Sequence, residues 1–295
     1  VLTPGGEKEG LHPSVKQRFA DAEIFHVPVE LGESQRAVVV PQTEPSGLAF
    51  FQYTSGSTST PKGVMVSHAN LLANLEMMRL RLGNHSQSHH VSWIPLYHDL
   101  GLIMNLLQPL YVGATSVLMT PSAFMYRPLH WLQAIAKFKA EVAAAPNFAY
   151  DLCVDRFRAE HMEGVDLSGW KLAVNGAEPV RPETLERFRT CFAPYGFSAT
   201  TMHPTYGLAE ATLVASSAPR GRGVKSRKVS TRGLYERRIV EPQSDLDTRY
   251  LAGCGTAVDG VEIAIVDQQS CQRQSLNVLG EIWLRGPSVA GGYWN

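Results

Sequence analysis

A short hydroxyl-rich loop holds the residues best suited to chemistry on phosphate groups, and its sequence is Tyr53-Thr54-Ser55-Gly56-Ser57-Thr58-Ser59-Thr60-Pro61-Lys62-Gly63. The backbone N–H groups and hydroxyls of such a loop can surround phosphate oxygens, and the Lys62 ammonium adds a point charge. Gly and Ser richness alone is also typical of a flexible turn. The Pro-Lys-Gly ending and the buried-strand pattern that precedes the loop favour the phosphate-binding interpretation.

Two familiar motifs can be tested against this loop. A Walker A loop requires Gly before its Lys and Ser or Thr after it, whereas Pro61 precedes Lys62 and Gly63 follows it. The run Ser59-Thr60-Pro61-Lys62 matches the SxxK of penicillin-binding proteins, but neither Lys-Thr-Gly nor Ser-Asp-Asn follows anywhere in the chain. The loop is therefore interpreted as neither of the two.

Further motifs follow the loop along the chain, and their order carries more information than any one of them. They are Trp93-Ile94-Pro95-Leu96-Tyr97-His98-Asp99-Leu100-Gly101-Leu102, Asn175-Gly176-Ala177-Glu178-Pro179, Thr205-Tyr206-Gly207-Leu208-Ala209-Glu210, and Gly280-Glu281-Ile282-Trp283-Leu284-Arg285-Gly286-Pro287 through Tyr293-Trp294-Asn295. Together with the loop they resemble the adenylate-forming enzymes, the superfamily of acyl-CoA synthetases, luciferases and peptide-synthetase adenylation domains. In that comparison they are similar to the phosphate loop, the His-containing motif, the adenine-side strand end, the Tyr-Gly-x-x-Glu motif and the strand before the ribose-binding Asp.

Two departures from the common motifs narrow the resemblance to one branch. Ser59 stands where the common loop has Gly, and Ala209 stands where the common Tyr-Gly-x-Thr-Glu motif has Thr. With the Tyr97-His98-Asp99 and Asn175–Pro179 segments, this pattern resembles the fatty acyl-AMP ligases. That branch carries an insertion where residues 217–250 fall, and the resemblance implies that it restricts the domain movement needed to form a CoA thioester. The acyl-adenylate, made from ATP and a fatty acid, would then pass to the phosphopantetheine thiol of an acyl carrier protein.

The resemblance and the residue chemistry together predict a role for each candidate. Activating a carboxylate with ATP brings two anions together, so the site must neutralise charge and hold the reacting atoms in line. Glu210 is suited to Mg²⁺, which prefers oxygen ligands. His98, which is switchable near neutral pH, can hydrogen-bond the carboxylate or the α-phosphate. The residues expected to hold the β and γ phosphates are Thr54, Ser55, Gly56, Ser57, Thr58 and Lys62.

The adenine end of the nucleotide is assigned to the two later motifs. Tyr206 offers an aromatic face, while Gly176 and Gly207 allow the backbone to approach the nucleotide closely. The same motifs add Ala177, Glu178 and Thr205 to the predicted nucleotide contacts. Taken singly, a Tyr or a Glu after a strand is more often structural, and only the joint order of the motifs favours a site. Leu102, Met104 and Leu106 are candidates for lining an acyl tunnel, although core packing explains them equally well.

The alternation of short apolar runs with amphipathic ones predicts the elements that carry these motifs. Strands are expected at 48–53, 91–94, 115–119, 141–145, 171–174 and 199–203, and helices along Leu71 to Leu82, from Pro128 to Phe138, after Pro146 and over Pro182–Phe192. The resulting fold class is α/β, with doubly wound, largely parallel sheets. We expect an α/β nucleotide- and acyl-binding region over residues 1–216, a basic connection of little periodicity over 217–250, and the start of a β-barrel-like subdomain over 251–295.

Composition excludes several classes of protein. The 295 residues carry 27 basic and 27 acidic side chains, a balance that argues against a general nucleic-acid binder. No run approaches the roughly 18 apolar residues of a membrane helix. The four cysteines lie far apart without a CxxC pair, which is typical of reduced thiols rather than of a disulfide framework or zinc site. We expect a cytoplasmic protein.

The ends of the chain predict a fragment of a longer protein. The sequence starts at Val1 and stops at Gly291-Gly292-Tyr293-Trp294-Asn295, a turn-like run directly after a strand-like one. Compared with the family it resembles, it lacks the first part of the sheet, the ribose-binding Asp, the hinge and the C-terminal lid domain with its catalytic Lys, and this fragment could itself be inactive. Two alternatives to an acyl-AMP ligase therefore stay open, an acyl-CoA synthetase and a catalytically incomplete nucleotide-binding or scaffold module.

Overall fold

A computed structural model describes residues 42–54 and 61–294, and the elements below belong to the compact unit Glu44–Asn295. The strands are β1 Leu48–Tyr53, β2 Gly63–Ser67, β3 His89–Ser92, β4 Thr115–Leu118, β5 Val142–Ala145, β6 Leu172–Asn175, β7 Met202–Gly207, β8 Val214–Ser217, β9 Lys225–Ser230, β10 Thr248–Gly253, β11 Thr256–Ala257, β12 Glu262–Val266, β13 Glu281–Arg285 and β14 Tyr293–Trp294. The α-helices are α1 His68–Leu82, α2 Gln108–Val112, α3 Pro121–Tyr126, α4 Leu129–Lys137, α5 Asn147–Asp155, α6 Pro182–Phe192 and α7 Thr231–Tyr235. A π-helical segment, Leu100–Leu107, leads directly into α2.

The central element is a seven-stranded sheet in the order β11-β8-β7-β6-β5-β3-β4. The five strands from β7 to β4 are mutually parallel, and β8 and β11 extend the sheet with antiparallel pairing. The chain changes direction across the sheet at β3, because β4 lies on one side of β3 and β5 on the other. Ligands of open α/β sheets bind outside the carboxyl ends of the strands near such a reversal. The expected α/β fold with a largely parallel sheet is confirmed.

The middle of this sheet is covered on both faces. All four residues of β5 and all four of β6 are buried, whereas a strand with one open face would alternate between buried and exposed residues. The core beside them is aromatic: Trp131 and Trp170 meet edge to face with ring centroids 5.3 Å apart, and Tyr150 meets Phe188 at 5.1 Å. The Tyr150 hydroxyl also donates to the Val174 carbonyl at 2.8 Å, which ties this core to the end of β6, where one of the predicted nucleotide motifs lies.

Helix α1 shows how the local sequence sets an element. Its first turn is closed by a capping box, in which the Ser67 hydroxyl accepts from the Asn70 N–H and the Asn70 side chain accepts from the Ser67 N–H. The helix stops at Gly83, whose φ of 67° is the left-handed conformation that favours glycine at a helix end. Leu75, Met78 and Leu82 are buried, as the predicted helical face requires.

Three small antiparallel sheets accompany the large one. Strands β1, β2 and β14 form one of them, β9 and β10 form the second, and β12 and β13 form the third. The stretch 217–250, expected to have little periodicity, thus contains β9, the short helix α7 and the start of β10. The first four residues of β9, Lys225 to Lys228, are exposed, so this strand lacks the apolar alternation by which strands are recognised in a sequence.

Among the described residues, no helix is both long enough and apolar enough to cross a membrane.

Candidate active site

One cavity of about 720 Å³ gathers residues from most of the predicted motifs. Its lining comes from the β1–β2 hairpin, from the segment that follows β3 and from the carboxyl ends of β6 and β7. Its polar and charged lining includes Gln52, Thr54, Lys62, His98, Asp99, Thr205 and Glu210, and its apolar lining includes Leu100, Met104, Val174, Leu208, Leu213 and Val214. A cavity that combines ionic and apolar walls can hold a ligand with an anionic end and an apolar part.

The two ends of the hydroxyl-rich loop meet at the mouth of a hairpin. β1 and β2 pair antiparallel with Tyr53 opposite Gly63, and the Thr54 N–H donates to the Lys62 carbonyl at 3.0 Å. Both Thr54 and Lys62 line the cavity. The other predicted phosphate contacts, Ser55, Gly56, Ser57 and Thr58, lie outside the described residues.

His98 reaches the cavity from the segment that follows β3. Its Nδ1 lies 2.7 Å from Asp99 Oδ1, and the same carboxylate oxygen accepts from the Leu100 N–H at 2.6 Å as the π-helical segment begins. The hydrogen bond with Asp99 raises the pKa of His98 above its ordinary value, against the opposing effect of burial. With Nδ1 turned to Asp99, Nε2 is the ring nitrogen left to meet a ligand.

The end of β6 supplies a surface of backbone rather than of side chains. A Cβ on Gly176 would stand 2.9 Å from the Thr205 carbonyl oxygen of the neighbouring strand, closer than such atoms approach. Ala177 follows with a φ of 65°, an uncommon conformation for a residue with a side chain. Both residues line the cavity. Glu178 does not, because its Oε1 accepts from the Phe148 N–H at 2.6 Å in the first turn of α5.

The end of β7 carries the first residues of the predicted Thr205–Glu210 motif. Thr205 and Gly207 line the cavity, and Tyr206 is half-buried without being part of the lining. Burial, followed by the nearby Glu210 carboxylate, raises the pKa of the Tyr206 hydroxyl. The role of Tyr206 as an adenine face stays a prediction.

Glu210 sits in the short turn between β7 and β8. Its Oε1 accepts a hydrogen bond of 2.6 Å from the Tyr293 hydroxyl, which raises the pKa of that hydroxyl. Its carbonyl accepts from the Ala290 N–H at 2.8 Å. Within residues 42–54 and 61–294 no group of three or more His, Cys, Asp or Glu side chains is placed to bind a metal ion. Glu210 lines the cavity, and its role as a ligand of Mg²⁺ stays a prediction.

Of the three residues that were candidates for lining an acyl tunnel, only one lines the cavity. Met104 is fully buried and lines the cavity. Leu102 packs against the hydrophobic core, and neither Leu102 nor Leu106 belongs to the cavity lining. The apolar wall is formed instead with Leu213 and Val214, which follow the Glu210 turn.

Three contacts of the site involve residues for which the sequence motifs predict no role. Asp99 orients His98, Tyr293 bonds to Glu210, and the buried Gln52 amide donates to the Tyr97 carbonyl at 2.9 Å, tying β1 to the His98 segment. Asp99 could have been found from its position beside His98 in the sequence. Tyr293 belongs to the last motif, but its contact with Glu210 is not predicted by the sequence, and neither is that of Gln52 with Tyr97, because the partners are distant in the chain.

Known proteins resemble the chain in sequence and in fold. It is 42% identical over 258 residues to the medium-chain-fatty-acid–[acyl-carrier-protein] ligase JamA of Moorena producens. The aligned region covers 86% of the chain and 44% of that relative. It is 38% identical over 264 residues to the 4-hydroxyphenylalkanoate adenylyltransferase of Mycobacterium tuberculosis, with coverages of 88% and 42%. The chain thus spans less than half the length of these relatives.

A solved structure is similar to the chain in fold and covers a comparable share of it. The crystal structure of the fatty acyl-adenylate ligase from L. pneumophila, in complex with acyl adenylate and pyrophosphate, superposes with a TM-score of 0.83 at 41% identity, over 86% of the chain and 45% of that protein. The sequence profile of the family described as AMP-binding enzyme matches residues 7–294. With a match over almost its whole length, the chain belongs to the AMP-binding enzyme family.

Proposed function

We propose that the protein activates a fatty acid with ATP and transfers the acyl group to the phosphopantetheine thiol of an acyl carrier protein. In the first step a carboxylate oxygen forms a bond to the α-phosphorus, and the bond from that phosphorus to the bridging oxygen breaks to release pyrophosphate. In the second step the thiol sulfur bonds to the acyl carbon, its proton is released, and AMP leaves. Because the reaction consumes ATP, we place it in the cytoplasm.

The cavity is the observation that carries this proposal. It joins a lysine, a histidine and a carboxylate to an apolar wall that contains Met104 and Leu213. Lys62 lies at the end of the loop assigned to the β and γ phosphates, where its positive charge stabilises the departing pyrophosphate. The relatives support the same chemistry, since the L. pneumophila protein was solved with acyl adenylate and pyrophosphate.

His98 is proposed to donate a hydrogen bond to the attacking carboxylate and to orient it. As an imidazolium it donates from Nε2 to an anionic oxygen, and the Asp99 contact at Nδ1 favours that charged form. Two anions, the carboxylate and the α-phosphate, repel each other as they approach. A positively charged donor at this position lowers that repulsion and fixes the orientation of the attack.

The site also fits Mg²⁺. This ion keeps several waters and is usually held by one or two carboxylates together with substrate phosphates, and Glu210 offers one carboxylate at the cavity. Bound there, Mg²⁺ would neutralise phosphate charge. Glu210 holds its place through the Tyr293 hydroxyl and the backbone contact with Ala290.

Product analysis tests the proposal. The protein expressed from its complete reading frame is incubated with dodecanoate and α-labelled ATP, then with CoA or with a phosphopantetheinylated carrier protein. We expect acyl-AMP that persists when CoA is added and is consumed when the carrier is added. Formation of acyl-CoA at a rate rivalling carrier loading would identify an acyl-CoA synthetase, and no adenylate with any chain length would leave a nucleotide-binding module.

A further inference from the structure

Tyr293 touches both charged groups of the cavity that are assigned to the phosphates. Its hydroxyl donates to Glu210 Oε1 at 2.6 Å. The Lys62 Nζ lies 5.1 Å from the centre of its ring, within the range of a cation–π contact. In the sequence Tyr293 belongs to the last motif, Gly280 through Asn295, but that motif predicts no contact of Tyr293 with Lys62 or Glu210.

The backbone around Tyr293 is held firmly against the site. Tyr293 pairs with Val64 on β2, and the Met65 N–H donates to the Gly292 carbonyl at 2.9 Å. Three residues upstream, the Ala290 N–H donates to the Glu210 carbonyl at 2.8 Å. The chain just before it is anchored as well, since the buried Thr212 hydroxyl donates to the Ser288 carbonyl at 2.6 Å. Because these hydrogen bonds hold the backbone of residues 288–293 in place, the Tyr293 side chain can in turn position the side chains that it contacts.

The position of the ring explains why two opposite charges in one cavity stay apart. A lysine and a glutamate that line the same cavity carry charges that attract each other. A direct ion pair between them would engage both groups that are assigned to the phosphates and their metal ion. In the described part of the chain, Lys62 makes no ion pair within 4.0 Å with Glu210 or any other carboxylate. Lys62 meets the ring face instead, and Glu210 meets the hydroxyl.

Among the described residues, only one oxygen of the Glu210 carboxylate accepts a hydrogen bond from the protein. Oε1 accepts from Tyr293, and no donor in the described residues contacts Oε2. A hydrogen bond to one oxygen of a metal-binding carboxylate fixes the direction of the other, and such supporting contacts are worth about 10–100-fold in metal affinity.

We propose that Tyr293 is a positioning residue that keeps Lys62 and Glu210 apart and aims Oε2 of Glu210 at the Mg²⁺ of Mg·ATP. This inference rests on the proposed function for the identity of the nucleotide. The Tyr293 side chain has two roles, and each can be tested separately. The hydroxyl orients the carboxylate, and the ring holds the ammonium.

Binding measurements separate these two roles. The affinity for ATP is measured by calorimetry across a range of Mg²⁺ concentrations, with the protein from the complete reading frame and its Tyr293→Phe and Tyr293→Leu variants. Tyr293→Phe should raise the Mg²⁺ concentration at half-maximal ATP binding about tenfold and leave the affinity for ATP in EDTA unchanged. Tyr293→Leu should also weaken ATP binding in EDTA, because Lys62 then pairs with Glu210.

Tyr235→Phe provides the matched control, since it removes a hydroxyl from a tyrosine that is 87% exposed and outside the cavity. It should leave both affinities unchanged. A wild-type Mg²⁺ dependence in Tyr293→Phe would overturn the inference. An equal loss of ATP affinity with and without Mg²⁺ in Tyr293→Phe would also overturn it, since that result indicates a structural role.

Failure of the inference and failure of the proposed function give different results. If Tyr293→Phe shifts the Mg²⁺ dependence but no fatty acid yields an adenylate, the inference holds and the proposed function fails. If acyl-AMP forms and Tyr293→Phe leaves the Mg²⁺ dependence unchanged, the inference alone fails. Absence of ATP binding by the unmutated protein would overturn both.

Discussion

At the scale of single residues, the His98 imidazole lines the cavity and has one ring nitrogen, Nδ1, engaged by Asp99. Asp99 engages Nδ1 at 2.7 Å and raises the pKa of the ring. Because that pKa is raised, the imidazolium persists to higher pH than in a free histidine. The proposed role of His98 as a donor to the fatty acid carboxylate depends on this charged form.

Replacing Asp99 by Asn should move the alkaline limit of activity to lower pH. The Asn oxygen can still accept from the Leu100 N–H, but it no longer carries the charge that stabilises the imidazolium. The measurement is the pH profile of kcat/KM for the fatty acid, followed through acyl-AMP formation. An alkaline limb at the same pH in the variant and in the unmutated protein would contradict this role of Asp99.

At the scale of elements, strand ends bring the site together. The walls of the cavity come from the segment after β3, from the ends of β6 and β7 and from the β1–β2 hairpin. Strands β3, β6 and β7 belong to the seven-stranded sheet, and β1 and β2 belong to a three-stranded one. The turn between β7 and β8 is tight, because a Cβ on Gly207 would overlap the Leu213 carbonyl. Glu210 lies within this turn, so its position depends on the absence of a side chain at Gly207.

Gly207→Ala should therefore destabilise the fold and displace Glu210. The added methyl group meets backbone, which yields less easily than a flexible side chain, and overpacking of this kind costs about 1–3 kcal/mol. Urea unfolding measures the loss. Gly169→Ala is the matched control, because nothing lies within 4 Å of its added Cβ, and it should stay within about 0.5 kcal/mol of the unmutated protein. Equal stabilities of the two variants would contradict the tight turn.

The sequence predicted those elements whose pattern is local. The Pro182–Phe192 helix was predicted with the observed bounds because Pro opens it and its apolar face repeats regularly. The strand β9 was missed, since its exposed Lys and Arg residues hide the alternation. In the same way, the motifs predict roles for Lys62, His98 and Glu210, whereas they predict no role for Gln52 and no contact for Tyr293, which lies in the last motif. Their contacts join segments 83 and 45 residues apart in the chain, a relationship that only the fold creates.

At the scale of the whole molecule, two histidines buried in the central sheet link stability to pH. Burial lowers the pKa of His90 on β3 and of His203 on β7 to about 4 in each case. The nearby Arg81 and Arg220 guanidinium groups act in the same direction on His203. Both rings are therefore neutral in the folded protein at pH 5, whereas in the unfolded chain they bind protons below about pH 6.5.

The fold should consequently lose stability as the pH falls from about 6.5 towards 4. The unfolded state binds more protons in this window, and each histidine contributes a loss of about 2 kcal/mol between pH 7 and pH 5. Urea unfolding at the two pH values measures it. His203→Gln, whose amide can still bond to Ser217, should show a smaller difference between the two pH values. An unchanged difference would contradict the burial of a neutral ring at this position.

We propose that this cavity holds the site where a carboxylic acid is activated with ATP, and the decisive measurement is fatty-acid-dependent exchange of labelled pyrophosphate into ATP. The protein from the complete reading frame should catalyse the exchange with dodecanoate, and Lys62→Ala should lower the rate by about 10²-fold. Lys137→Ala, which removes a lysine placed over the Phe138 ring outside the cavity, should leave it unchanged. Exchange that ignores the fatty acid, or an unimpaired Lys62→Ala variant, would contradict the claim.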